Sequence, residues 1–137
     1  MRDNSRNLPM ALLRAREAVM ARFRPLLRAH GLTEQQWRVL RALAEAEHLE
    51  ATRLSAQTLI SMPSLSRVLR GLEAGGLIAR ANVEGDNRRR RIRLSPAGRE
   101  LFDTIAPLSE AEYRRIEDAI GADVLDTLYA GLTKLEG

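Results

Sequence analysis

Residues 85–98 of this 137-residue chain read GDNRRRRIRLSPAG. Arginine fills five of six consecutive positions, directly after a Gly-Asp-Asn sequence that is typical of a turn. The end of the stretch alternates charged and apolar residues, which predicts a β-strand with Ile92 and Leu94 facing a core and Arg91 and Arg93 facing outward. With a preceding strand at about residues 78–83, the stretch predicts an arginine-bearing β-hairpin attached to a folded body.

Helical patterns surround this hairpin on both sides. Apolar residues recur every three or four positions over about residues 8–29, 33–46, 52–59, 64–73, 96–118 and 122–135. Thr33 with Gln36 forms a capping-box sequence, and Ser61 stands ahead of a proline in a first helical turn. The order predicts a mainly α chain with a small β-hairpin wing, that is, a winged helix-turn-helix flanked by N- and C-terminal helices.

The helix over residues 64–73 is the strongest functional element. Its apolar stripe, which includes Leu65, Leu69 and Leu72, would fix it to the body. The polar face carries Ser64, Ser66, Arg67 and Arg70. Short hydroxyl residues and arginines on one helix face favour base-edge and phosphate contacts in a DNA major groove. The alternative is an ordinary amphipathic surface helix, which the neighbouring helix and basic hairpin argue against.

The hairpin arginines predict a second contact with nucleic acid. Asp86 lies two residues before Arg88, so its carboxylate can hold that guanidinium in an extended pose that fits a narrow minor groove. Backbone contacts and support are divided among Arg89, Arg90 and Arg91 in a way that the sequence does not assign. A solvated charge run is the alternative for this cluster.

Charge and composition narrow the functional classes. Residues 1–99 carry 19 Arg and Lys against 9 Asp and Glu, whereas residues 100–137 carry 3 against 9, so a basic body precedes an acidic C-terminal segment. Cysteine is absent, and no apolar run reaches the length of a transmembrane helix. Two histidines, His30 and His48, offer no metal-ligand or nucleophile–base spacing. We therefore expect a cytoplasmic protein that is not an enzyme, with no catalytic residues, no metal, no cofactor and no membrane association.

Three motifs resemble the MarR family of bacterial winged-helix regulators. They are HGLTxxQW at residues 30–37, PSLSRxLxxLExxGLIxR at residues 63–80 and DxRRxxIxLSxxG at residues 86–98. The stretches around residues 11–18 and 32–39 are similar to one branch in particular, which regulates homoprotocatechuate (4-hydroxyphenylacetate) degradation operons. The resemblance implies a single domain over residues 1–137, with the DNA-binding lobe at about 33–98 and dimerisation helices at about 8–30 and 99–136.

The resemblance also implies partners. A homodimer would bind double-stranded DNA at a palindromic operator and act as a repressor of an aromatic-acid catabolic operon, released by a small aromatic carboxylate. The effector candidates are Arg16, Trp37 and Arg38, followed by His30 and Met20. Alternatively, Trp37 is a core residue and the arginines form salt bridges. A constitutive or architectural DNA-binding regulator without an effector stays open, whereas RNA binding is disfavoured because the aromatic residues fall in helical patterns.

Overall fold

The computed structural model describes residues 6–83 and 85–137, and the side chains of Val83, Asp86, Asn87 and Arg88 lie outside this description. The described residues form helices and strands in an order that confirms the mainly α winged helix-turn-helix fold. The elements are α1 (Leu8–Ala29), α2 (Glu34–Ala44), β1 (Leu49–Glu50), α3 (Ala51–Thr58), α4 (Met62–Ala74), β2 (Ile78–Val83), β3 (Asp86–Leu94), α5 (Pro96–Ile120) and α6 (Ala122–Glu136).

Local capping sets where α2 begins. The Thr33 hydroxyl accepts from the Gln36 amide at 3.1 Å, and the Gln36 side chain accepts from the Thr33 amide at 3.0 Å. Two of the amides that a helix N-terminus leaves unpaired are thereby satisfied. Gly31, with φ of +74°, reverses the chain between α1 and this cap. The predicted capping box is confirmed.

The turn between α3 and α4 contains an unusual residue. Leu59 has φ of 57°, in the left-handed region, and its side chain is 88% exposed. The chain then buries Ile60 and reaches Ser61, whose hydroxyl accepts from the Ser64 amide at 3.4 Å. This cap, with proline in the first turn, starts α4 as the sequence predicts.

A three-stranded antiparallel sheet in the order β1-β3-β2 forms the wing. Ile78 pairs with Leu94 at one end of the β2–β3 ladder, and an irregularity follows Asn82. Leu49 pairs with Ile92, so the two-residue β1 adds a third strand to the predicted hairpin. The sequence does not predict β1, because a strand of two residues cannot show an alternation of charged and apolar positions.

Contacts divide the chain into two compact units. The first unit contains the chain up to Leu26 and Pro107–Gly137, and the second contains Leu27–Ala106. The predicted single domain over residues 1–137 and its internal limits stay a prediction. In the second unit, apolar residues from α2, α3, α4, the start of α5 and the sheet form the core. Its most deeply buried members include Val39, Leu40, Leu43, Leu54, Leu65, Leu69, Leu72, Ile92 and Ile105.

The junction between the sheet and α5 is closely packed. The Ser95 amide donates to the Leu77 carbonyl at 3.0 Å, and the Ser95 hydroxyl donates to the Gly76 carbonyl at 2.6 Å. The same hydroxyl accepts from the Gly98 amide at 3.0 Å and so caps the first turn of α5. The start of α5 is thereby held against the turn that connects α4 to β2.

The first unit leaves much of its apolar surface uncovered. Phe23 is buried against Tyr113, with ring centroids 5.0 Å apart. By contrast, α6 contains no buried residue. Its exposed apolar side chains are Val124, Leu128, Tyr129 and Leu135. The apolar stripe predicted for the last helix therefore exists, but the isolated chain does not bury it.

Candidate nucleic-acid interface and effector residues

The helix α4 presents its polar face as the sequence predicts. Leu65, Leu69 and Leu72 are at most 2% exposed and attach the helix to the body. On the other side, Ser66, Arg67 and Arg70 are exposed, and Ser64 is half-buried. A groove-binding helix requires this arrangement, with buried leucines on one face and solvent-exposed polar side chains on the other.

Within this face, Arg67 and Ser64 are coupled. The Arg67 Nη2 atom donates to the Ser64 hydroxyl at 3.3 Å, one helical turn away. The bond orients the guanidinium along α4 toward its N-terminal end. A base or phosphate contact by Arg67 would therefore begin from a partly ordered side chain.

The wing arginines fall into separate groups. Arg90 and Arg91 are exposed on β3, while Ile92, the next residue, is 1% exposed. Arg89 forms an ion pair with Glu50 of β1. Asp86 and Arg88 belong to β3, but their side chains lie outside the described residues, so the orienting role of Asp86 stays a prediction.

A further arginine links α4 to the wing. Arg80 on β2 places its Nε atom 3.5 Å from Glu73 Oε2 near the end of α4. The Arg80 Nε and Nη2 atoms are buried and lack a hydrogen-bond acceptor among the described residues. A cation held in this way depends on the nearby Glu73 carboxylate, because burying an unpaired charge is costly. Arg80 is part of the motif at residues 63–80, but the sequence predicts no role for it.

Of the effector candidates, Trp37 and Arg38 already have protein partners. Trp37 is 8% exposed, and its ring stacks on Phe102 with centroids 5.2 Å apart and planes 18° apart. Arg38 donates to the Thr58 carbonyl at 2.9 Å and to the Glu34 carboxylate at 3.0 Å. Both residues therefore stabilise the second unit, whatever else they do.

The other candidates are distributed over both units. Arg16 and Met20 belong to the first unit, and His30 belongs to the second with Trp37 and Arg38. Arg16 lies 3.8 Å from the Glu17 carboxylate, with its side chain 46% exposed. A common pocket for these five residues stays a prediction.

An apolar groove of about 440 Å³ lies in the first unit. Residues of α1, α5 and α6 line it, including Val19, Ile116, Leu125 and Tyr129. None of the five predicted effector residues belongs to its lining. The groove includes Leu128 and Tyr129 of the uncovered apolar surface of α6.

Two negative observations apply to the described ranges. No group of three or more His, Asp or Glu side chains is placed there to hold a metal ion. Across residues 6–83 and 85–137, no helix has both the length and the apolar character needed to cross a membrane.

The carboxyl group of Glu17 on α1 has a shifted pKa. The hydrogen bond and charge of Arg24 lower the pKa of Glu17 below its ordinary value of 4.5. The Arg24 guanidinium donates to both carboxylate oxygens of Glu17, at 2.9 and 3.0 Å. This pair lies on α1, two turns apart, and strengthens that helix rather than the DNA-binding face.

The fold and the face of α4 define a winged helix-turn-helix regulator. A model of the MarR family matches residues 30–89. A transcriptional regulator from Neisseria gonorrhoeae, FarR, is 37% identical over 133 residues, which are 95% of this chain and 91% of that protein. The homoprotocatechuate degradative operon repressor of Escherichia coli is 38% identical over 122 residues, or 89% and 82% of the two chains. This chain belongs to the MarR family of transcriptional regulators.

A solved structure adds a ligand-bound relative. NadR, crystallised in complex with 4-hydroxyphenylacetate, is 34% identical and superimposes with a TM-score of 0.81, over 98% of this chain and 96% of that one. The fold expected from the motifs at residues 30–37, 63–80 and 86–98 is therefore confirmed.

Proposed function

We propose that this protein is a dimeric repressor of an aromatic-acid catabolic operon, released from a palindromic operator by a small aromatic carboxylate. The observation that carries the DNA-binding part is the face of α4. Its buried leucines are at most 2% exposed, whereas Arg67 and Arg70 are exposed to solvent, as are Arg90 and Arg91 on the wing. Such a face matches the phosphate and base-edge acceptors of a major groove. A repressor of this kind acts in the cytoplasm.

The homodimer is supported by the first unit. In the single chain, α6 has no buried residue. Its apolar residues Val124, Leu128 and Leu135 are 57%, 50% and 58% exposed. Contiguous exposed apolar side chains mark protein interfaces. A second copy related by a two-fold axis would present two α4 helices to half-sites about 34 Å apart, hence the palindromic operator.

The effector part is supported by the relatives rather than by a cavity. NadR was crystallised with 4-hydroxyphenylacetate, and one relative is named for homoprotocatechuate degradation. An aromatic acid requires a cation for its carboxylate and flat walls for its ring. Arg16, Arg38 and Trp37 supply these groups, with His30 and Met20 as further candidates.

A constitutive regulator without an effector is the second candidate. It is favoured by the stacking of Trp37 on Phe102 and by the two hydrogen bonds that already occupy Arg38. Titration of 4-hydroxyphenylacetate against the fluorescence of the single tryptophan, with and without bound DNA, separates the two candidates. Saturable quenching and release of DNA support the effector. No change in either signal supports the constitutive regulator.

DNA binding itself is tested by selection from randomised 30-base-pair duplexes, followed by gel-shift titration. We expect the selected sites to be palindromic. Arg67→Ala should cost about 1–3 kcal/mol of operator binding and lower the preference over random DNA. Arg88→Ala should weaken binding without changing the oligomeric state. Arg115→Ala, on α5 and 62% exposed, is the control and should leave binding unchanged. Unselective binding by the native protein would contradict the proposed function.

A further inference from the structure

Glu50 lies where the strand β1 ends and the helix α3 begins. It ends β1 and is also the residue that precedes the first turn of α3, with φ of −81° and ψ of 155°. A side chain at this position usually accepts hydrogen bonds from the helix amides. The Glu50 side chain makes no such bond. Its carboxylate is directed to the sheet instead.

The register of the sheet explains which arginine it meets. Glu50 is directly opposite Arg91 on β3, and opposite residues of an antiparallel pair share a face. Arg89 lies two residues from Arg91, which places it diagonally across from Glu50 on that face. Its Nε atom donates to Glu50 Oε2 at 3.3 Å, and its Nη2 atom donates to the other carboxylate oxygen.

Two parallel hydrogen bonds fix the guanidinium plane of Arg89. Such bidentate contacts add geometric restraint to the charge attraction. The pair is half-exposed, with 31% of the Glu50 side chain and 54% of the Arg89 side chain accessible. The contact therefore ties the outer part of β3 to the chain segment that starts the helix-turn-helix.

We propose that Glu50 is a positioning residue for the wing: it holds Arg89 as a brace between β1 and β3, so that the neighbouring arginines face DNA while Arg89 makes no phosphate contact of its own. The inference rests on the proposed DNA binding through the wing. It changes the expected role of Arg89, which the sequence analysis groups with the DNA-binding arginines.

The sign of one substitution separates this role from simple electrostatics. A carboxylate beside bound DNA repels the phosphates. If this repulsion were its sole effect, removing the carboxylate would raise the affinity for DNA. If Glu50 positions the wing, Glu50→Gln lowers operator affinity by about two- to fivefold, the range of an exposed ion pair. Glu47→Gln is the matched control, because Glu47 is exposed and lies three residues away. It should leave the affinity unchanged or raise it.

The dependence of affinity on salt tests the role of Arg89. Loss of one phosphate contact reduces the slope of log K against log salt by about 0.9. If Arg89 is a brace, Arg89→Gln weakens operator binding but leaves the slope of log K against log salt unchanged. The double variant Glu50→Gln/Arg89→Gln then binds the operator no more weakly than either single variant. A lower slope, additive losses, or higher affinity of Glu50→Gln would each overturn the proposal.

A measurement without DNA keeps this test independent of the proposed function. Hydrogen exchange of the Arg91 and Ile92 amides should be faster in Glu50→Gln than in the native protein and in Glu47→Gln. Equal exchange in all three proteins would refute the brace. If exchange changes as expected but the native protein selects no DNA sequence, the brace exists and the proposed function is wrong.

Discussion

The carbonyl oxygen of Leu77 occupies the space that a β-carbon at Gly98 would need. The contact joins the turn before β2 to the first turn of α5, where the Ser95 amide also donates to the Leu77 carbonyl. Backbone cannot move aside as a flexible side chain can. We expect Gly98→Ala to lower the free energy of unfolding by about 3 kcal/mol, the upper range of overpacking.

Urea unfolding followed by circular dichroism measures this loss. Gly71→Ala is the control, because Gly71 lies in the interior of α4 and the nearest atom to an added β-carbon is Nε2 of Gln36, at 3.4 Å, an ordinary van der Waals distance. Alanine there should raise stability by about 0.5–1 kcal/mol through helix propensity. Equal changes in unfolding free energy for Gly98→Ala and Gly71→Ala would contradict the close approach of the Leu77 carbonyl to Gly98.

Arg38 connects α2 with the end of α3. Its guanidinium donates to the Thr58 carbonyl, at the end of a helix where carbonyl groups lack helical partners. Arg38→Ala should lower the unfolding free energy by about 1.5–3 kcal/mol, the range for hydrogen bonds to charged groups. Arg53→Ala, exposed on α3, should change it by less than about 0.5 kcal/mol. A silent Arg38→Ala would show that the guanidinium is dispensable for the fold.

Leu59 carries backbone strain without compensating burial. A left-handed conformation costs a non-glycine residue about 1–2 kcal/mol, and the side chain is 88% exposed. Glycine relieves the strain but loses up to about 1 kcal/mol more conformational freedom on folding. We therefore expect Leu59→Gly to raise the unfolding free energy by up to about 1 kcal/mol in urea titrations.

Replacing a glycine of positive φ in another turn tests whether backbone strain has the expected cost. Gly76 has φ of +73° with no atom within contact distance of an added β-carbon. Gly76→Ala should destabilise the protein by about 1 kcal/mol through strain alone. Loss of stability in Leu59→Gly would mean that the exposed leucine contributes a contact in the folded protein.

The Glu17–Arg24 pair predicts a pH-dependent contribution to stability. Arg24 lowers the pKa of Glu17, so the folded chain favours the ionised carboxylate more than the unfolded chain does. The contribution is present above the ordinary value of 4.5 and is lost as the pH falls through the lower folded value. Native protein and Arg24→Gln should therefore differ in stability near pH 7 and converge in acid.

Unfolding at fixed protein concentration over about pH 3–7 provides the comparison. Because both side chains reach solvent, with 36% of Arg24 and 52% of Glu17 accessible, the difference should also shrink in about 0.5 M salt. Arg22→Gln, on the same helix, serves as the control for removal of a positive charge. A difference that is constant with pH would exclude the ionisation of Glu17 as its source.

Local sequence predicts the parts of the fold that short-range bonds determine. Thr33 and Gln36 are three residues apart, and so are Ser61 and Ser64, so both helix starts can be read directly from the chain. The leucine stripe of α4 is likewise visible at helical spacing. These features position most of the candidate DNA-binding face.

Contacts between distant residues could not be predicted in the same way. Several arginines could have met Glu50, and the sequence does not show that β1 pairs with β3, the pairing that brings Arg89 within hydrogen-bond distance of Glu50. Likewise, Trp37 and Phe102 are recognisable as apolar helix positions, but their stacking depends on how α5 packs in the second unit. The sequence therefore indicates the type of surface more reliably than the partner of each side chain.

The pairing of Glu50 with Arg89 closes a chain loop of 39 residues that contains α3 and α4. Opening this closure releases the entropy lost on joining the loop ends, a quantity that grows only slowly with loop length. Pairing between β1 and β3 thus links the order of the wing to that of the helix-turn-helix as one cooperative segment. A wing substitution far from α4 in sequence can then change how long α4 stays folded.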